Sequence, residues 1–207
     1  ETRQRIAAAA VDLHGTVGPA RTTWSAVADR AGVQRHTVYR HFPTEADLVG
    51  ACSAHFFTEH PLPDPEPWRK IDDPRKRLHQ ALDELYAYYE ITEQMFSNVL
   101  RDAELIEALR PTLAPMGQYL GEVARILAQG WGARGRRMTL LTAAMHHVVD
   151  FRAWQSLTQE SRITRAEAIE LMTGLVETAT TKRLTYGPQT AGCNIHGSPP
   201  TTGEAIL

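Results

Sequence analysis

The sequence predicts an all-α protein. Apolar residues recur in steps of three and four along almost the whole chain, and no window alternates convincingly with period two. Clusters of Gly and Pro cut these stretches into helix-length segments. With 207 residues, 43% of them hydrophobic, the chain has room for one large domain or a small one plus a larger one, and for a sizeable core.

The first helix carries Ile6, Ala10, Leu13 and Val17 on one face, and Gly15, Gly18 and Pro19 are expected to end it. Thr22 and Thr23 suit the N-cap of a second helix bearing Trp24, Val27, Ala28 and Ala31. Trp24 is expected in the core. Gly32 supplies the left-handed residue of a tight inter-helix turn. Gln34 opens a third helix, on which Val38 and Phe42, four apart, share the buried face. Thr44 then caps a fourth helix, with Glu45 and Asp47 suited to the dipole of its first turn.

The stretch PLPDPEP at 61–67 reads as a rigid connector. Beyond it, one apolar stripe holds Leu78, Leu82, Leu85 and Tyr89, and a second holds Leu113, Met116, Leu120, Val123 and Leu127. RPTLAP at 110–115 is expected to break the helical run, and GWGARG at 130–135 to separate two long helices. Met138, Leu141, Met145 and Val148 mark a further stripe; Ile169, Met172, Val176 and Ala179 mark the last. From Gly187 onward Gly, Pro, Ser and Thr dominate without periodicity, so residues 186–207 read as a flexible tail. The division is therefore 1–48, a helix-turn-helix unit; 49–67, a connecting helix and proline-rich linker; 68–185, a larger helical unit; and the tail.

Net charge is −2, which selects no partner. Residues 1–50 hold six Arg against five Asp and Glu, while the rest hold sixteen Lys and Arg against nineteen. Any nucleic-acid reading must rest on where charges sit. Two distant cysteines, Cys52 and Cys193, make neither a disulfide framework nor a zinc set. No apolar run is long enough for a membrane and no signal peptide is seen, so a cytoplasmic protein without membrane association is expected. The first residue is not Met, so a few residues are expected to be missing or trimmed.

The segment AGVQRHTVYRHF at 31–42 carries the chemistry. In a helix-turn-helix the first turn of the second helix enters the major groove, here Gln34, Arg35, His36 and Thr37. Arg suits guanine edges, Gln suits adenine, and a Thr methyl can touch thymine. Tyr39, Arg40 and His41 follow where the helix rises beside phosphates. Alternatively the helix is only a solvated cationic face and His41 only a packing residue. The cap, the turn glycine, the paired core positions and the Tyr-x-His-Phe segment, taken together, favour DNA.

Residues 3–48 resemble the DNA-binding domain of the TetR family of bacterial transcriptional regulators. The matching features are the apolar helix from Ile6 to Leu13, Gly18, Thr22-Thr23, Val27-Ala28, Ala31-Gly32-Val33, Thr37-Val38-Tyr39-Arg40-His41-Phe42 and the capped segment Thr44 to Leu48. The resemblance implies phosphate contacts at Thr23, Tyr39 and His41 and base contacts at Gln34, Arg35, His36 and Thr37. Four positions depart from the pattern: His14 stands where Phe is usual, Pro19 where an aromatic or apolar residue is common, His36 for a frequent Gly, and Glu45 for a frequent Lys. The resemblance further implies a helical ligand-binding and dimerisation domain, pairing two-fold through the last two long helices, roughly 135–158 and 164–184. The homodimer would bind a palindromic, double-stranded operator and be released by a small, mostly apolar effector, most simply as a repressor.

Candidate effector contacts are Tyr86, Tyr89, Phe96, Met116, Tyr119, Met145, His146 and Val149, with Met95, Leu100, Leu120, Trp131, Phe151 and Trp154 nearby. About half of such residues are expected to be plain core. His146 and Asp150 share a helix face like metal ligands, but no third ligand has suitable spacing, so a polar or capped face is preferred, with no metal and no cofactor. Two other classes remain: a helical enzyme, disfavoured because no nucleophile–base pair or phosphate loop is present, and a protein-binding adaptor with no DNA role. A steep loss of DNA binding with salt separates the regulator from both.

Overall fold

The structure, a computed structural model, describes residues 1–181; the expected tail and Cys193 lie outside the described residues. Among the described residues there are helices and turns and no strand. The first four helices are α1 (Thr2–Thr16), α2 (Trp24–Ala31), α3 (Arg35–His41) and α4 (Glu45–Glu59). After the short α5 (Glu66–Arg69) comes the 29-residue α6 (Pro74–Asp102), then α7 (Arg110–Leu127), α8 (Arg136–Val148), α9 (Phe151–Gln155) and α10 (Arg165–Thr181). No helix among the described residues is long and apolar enough to cross a membrane.

Two hydrophobic cores form along this order. Ile6, Ala10, Leu13, Val27, Ala28, Val38, Phe42, Leu48 and Cys52 join α1 through α4. From Phe56 onward a larger cluster joins the end of α4 to α6 through α10. Helix α4 therefore belongs to both. Its start is fixed by a complete capping box, with Thr44 and Asp47 each accepting from the other's backbone N–H.

Several breaks differ from expectation. Gly15 lies inside α1, which runs to Thr16. The interruption expected at 110–115 falls instead between Asp102 and Arg110. Pro111 occupies the first turn of α7, where no N–H is needed, and Pro115 sits one turn later at the loss of a single ladder bond. The helix expected at 135–158 is interrupted by Val149 and Asp150. Tyr86 Oη donates to the Val148 carbonyl at 2.8 Å and Tyr89 Oη to the Val149 carbonyl at 2.6 Å, satisfying groups that α8 would otherwise have carried onward. Asp150 Oδ1 then accepts from the Arg152 and Ala153 amides and starts α9, so Asp150 is a cap. A π-helical turn, Ser156–Glu160, follows.

Arg77 braces the larger unit. It is 5% exposed, and its guanidinium donates to four carbonyls, those of Ile71, Asp72, Ile126 and Gln129, at 2.8–3.3 Å. The Ile126 carbonyl belongs to the last turn of α7 and that of Gln129 to the turn just beyond it, where a cation also suits the helix dipole.

Candidate functional site

Helices α2 and α3 meet at Gly32, whose φ of 63° places it in the left-handed region. Its N–H and that of Val33 return to the end of α2, closing the turn. Val38 and Phe42 are fully buried, which fixes the roll of α3 and leaves Gln34, Arg35, His36, Tyr39 and Arg40 exposed. Gln34 is the N-cap residue, so Arg35, His36 and Thr37 form the first helical turn. Thr37 and His41 are half-buried. The His41 carbonyl accepts from Arg3 Nη1 at 2.7 Å, and the Arg3 guanidinium lies 4.2 Å from the Phe42 ring centroid, tying α1 to the end of α3.

Thr23 caps α2 by accepting from the Ala26 amide at 3.1 Å, which leaves its hydroxyl hydrogen available for an external acceptor. Trp24, expected in the core, is only half-buried and stacks on Tyr39 with ring centroids 4.8 Å apart. Arg35 Nη2 donates to Tyr39 Oη at 3.0 Å, and its guanidinium sits 5.4 Å from that ring centroid. Sequence reading placed Arg35 and Tyr39 beside DNA but missed their mutual contact, although their i, i+4 spacing is the signal for it.

The helix-turn-helix unit is anchored to the rest of the chain at the end of α6. Asn98 Nδ2 donates to the His14 and Gly15 carbonyls, each at 2.9 Å, and Asp102 Oδ2 accepts from the Ala20 amide at 2.9 Å. The hydrogen bond from Arg101, then that from the Ala20 amide, hold the Asp102 carboxyl below the usual carboxylate range. Gly18, at φ 93°, allows this approach: a Cβ there would collide with Arg101 and come within 2.6 Å of Asp102 Oδ2. His14 is buried beside this junction, and desolvation lowers its pKa to about 4, so its imidazole is neutral at neutral pH.

Two apolar cavities lie behind this unit. A cavity of about 50 Å³ opens between α1, α4, α6 and α7, lined among others by Val11, His14, Val49, Cys52, Phe56 and Leu109. A second, of about 180 Å³, is lined by Tyr89, Phe96, Leu100, Leu113, Met116, Gly117, Leu120, Asp150 and Phe151. Of the effector candidates, Tyr89, Phe96 and Met116 line the larger cavity. Tyr86, Met145 and Val149 are buried in the core and line neither cavity. The Tyr119 hydroxyl is committed to the Pro63 carbonyl at 2.8 Å. His146 is exposed in an open cleft of about 570 Å³ between α7 and α8. The Cys52 thiol, pushed up to about 12 by burial, is chemically quiet. Among the described residues no group of three or more His, Cys, Asp or Glu is arranged to hold a metal.

A left-handed glycine turn between two short helices, with an exposed basic turn beyond it, defines a helix-turn-helix protein, and the comparisons agree. Residues 6–52 match the family described as "Bacterial regulatory proteins, tetR family". The chain is 36% identical over 143 residues to the HTH-type transcriptional repressor Rv3405c of Mycobacterium tuberculosis, covering 65% of this chain and 72% of that one. An HTH-type transcriptional regulator of Mycobacterium bovis, Mb3439c, matches to the same extent. Among solved structures, a TetR-like transcriptional regulator from Rhodococcus sp. RHA1 superposes with a TM-score of 0.57 at 18% identity, covering 88% of this chain and 97% of that one. The multidrug binding protein EbrR complexed with imidazole superposes at 0.52 with 25% identity, covering 84% and 88%. The chain belongs to the TetR family and is a transcriptional regulator, not an enzyme.

Proposed function

We propose that this chain is a cytoplasmic repressor that binds a palindromic operator as a homodimer and leaves it when a small, mostly apolar effector enters the larger helical unit. The observation that carries the reading is the start of α3, where Gln34, Arg35 and His36 are exposed and Thr37 half-buried, held outward by the burial of Val38 and Phe42. In this reading Gln34, Arg35, His36 and Thr37 face base edges. Thr23, Tyr39, Arg40 and His41 lie beside phosphates. Residues 1–48 act as the reading unit, 49–67 as its connection, and the helices from 68 onward as the effector and dimerisation unit.

Support for a dimer comes from α8 and α10, which pack together and expose Met138, Leu171 and Leu175. A two-fold pair would set the two reading helices about one DNA turn apart. The cavity lined by Tyr89, Phe96 and Met116 supports an effector site, and EbrR, a structural neighbour, is described as multidrug binding. Its two sites would be coupled through the α6–α1 junction described above.

Selection of genomic fragments retained by the purified chain tests the reading. A near-palindromic site is expected, with affinity falling steeply as salt rises because phosphate contacts release counterions. A dimeric sample that retains no fragment at low salt would refute it.

A further inference from the structure

The two apolar cavities share a wall. Phe96, Leu113 and Met116 line both. Met116 is unbranched and adaptable. It and Leu113 are carried by the first turns of α7, where Pro115 has no N–H to give to the Pro111 carbonyl, so this stretch of backbone is held by fewer ladder bonds. The far side of the partition is the junction cavity, whose walls include Val11 and His14 of α1 and Val49 and Cys52 of α4.

The larger cavity has one charged group. Asp150 uses Oδ1 to cap α9, while Oδ2 takes no hydrogen bond among the described residues. Around it stand the rings of Tyr89 and Phe151, 5.3 Å apart, with Phe96 5.4 Å from Phe151. The Tyr89 hydroxyl is taken by the Val149 carbonyl, so Tyr89 offers its ring rather than a donor. A carboxylate flanked by aromatic rings in an apolar cavity favours a cation and repels an anion.

We propose that the effector is an elongated organic cation. Its charged head rests by Asp150 and the rings, and its apolar chain displaces Phe96 and Met116 to reach the junction cavity. The proposal rests on the reading of these cavities as the effector site. It gives the ligand a direct route to the reading head, because the end of its chain would press on α1 and α4 rather than on the larger unit alone.

The test uses the full chain and calorimetric titration with butyl-, hexyl-, octyl- and decyltrimethylammonium, with decanol and decanoate as neutral and anionic counterparts. Release of a bound operator fragment is followed in parallel by fluorescence anisotropy. Affinity is expected to rise about fourfold per added methylene through the decyl compound. Decanoate should bind at least about tenfold more weakly than the decyl cation. Asp150→Asn, which keeps a capping side chain, should cost the cation about tenfold and leave decanol unchanged. Val11→Phe, which fills the junction cavity, should weaken the decyl cation and spare the butyl one. A rise that stops at the hexyl compound, or a Val11→Phe variant with unchanged preference for long chains, overturns the junction reach. Equal binding of decanoate, or an unaffected Asp150→Asn variant, overturns the cationic head. Decanol binding with DNA release, while the cations fail to bind, overturns the cation assignment and leaves the effector site standing. No binding by any member, neutral ones included, overturns the effector site as well.

Discussion

Replacing His14 by Phe should remove much of this fold's sensitivity to mild acid. His14 is 6% exposed on the last turn of α1, and burial lowers its pKa from 6.5 to about 4, with Asp102 opposing the shift. The unfolded chain gains a proton here near pH 6.5, the folded chain only near pH 4. The unfolded state therefore binds more protons throughout that window, and stability falls as pH drops through it. Above pH 7 the effect is nearly absent. At pH 5 it amounts to about 2 kcal/mol, and below pH 4 it levels off at about 3 kcal/mol. Asp73, Asp102, Glu122 and Glu167 also have shifted values, but all four are lowered carboxylates, whose stabilisation is lost only as pH falls below the ordinary carboxylate range. Urea unfolding of the parent and of His14→Phe, at pH 7 and at pH 5, isolates the group. Whatever packing difference exists at pH 7, the variant should gain about 2 kcal/mol on the parent at pH 5. An identical pH response in both proteins would refute the burial of a neutral imidazole at this junction.

Arg77→Met should lower the unfolding free energy by about 3 kcal/mol or more, because carbonyls of Ile71, Asp72, Ile126 and Gln129 lose their buried partner; urea midpoints measure it. Gly18→Ala should cost about 2 kcal/mol or more in the same assay, since φ 93° and the approach of Arg101 and Asp102 both oppose a Cβ. Arg35→Ala should relax base preference at one operator position by about 1–3 kcal/mol, whereas Tyr39→Phe should weaken all sequences alike; competition binding on operator variants distinguishes them.

Local features were legible in the sequence and distant ones were not. The Thr44–Asp47 box and the Gly32 turn depend on residues within four positions, and both stand where their residue types indicated. The break between α6 and α7 carries neither Gly nor Pro; AELIEAL, residues 103–109, reads as helix, and the chain turns there to bury Leu109 while leaving Leu105 75% exposed. The interruption at Val149 and Asp150 is written about sixty residues away, in the hydroxyls of Tyr86 and Tyr89. Aromatic and Met content singles out Tyr89, Phe96 and Met116, which line a cavity, but it cannot separate a cavity wall from a filled core, where Tyr86, Met145 and Val149 lie. Val11 and His14 fall in the expected helix-turn-helix unit and Cys52 in the expected connecting helix, so nothing in that division marks them as cavity residues. Steps of three and four along α1 pass through Leu13 rather than Val11 or His14, so the off-stripe neighbours were the available signal.

The contact among Arg35, Tyr39 and Trp24 bears on how a chain that reads bases through Arg35 would divide searching from reading. With its guanidinium docked over its own helix, Arg35 would add charge to a DNA-facing surface without yet probing a base. Over a base pair that lacks guanine's two acceptors the side chain can stay latched on the tyrosine hydroxyl. A guanine at the right register offers two acceptors in exchange for one, and only there is swinging outward worthwhile. Selectivity itself would stay with the paired acceptors of guanine; the internal contact only parks the side chain, with Trp24 holding Tyr39 in place.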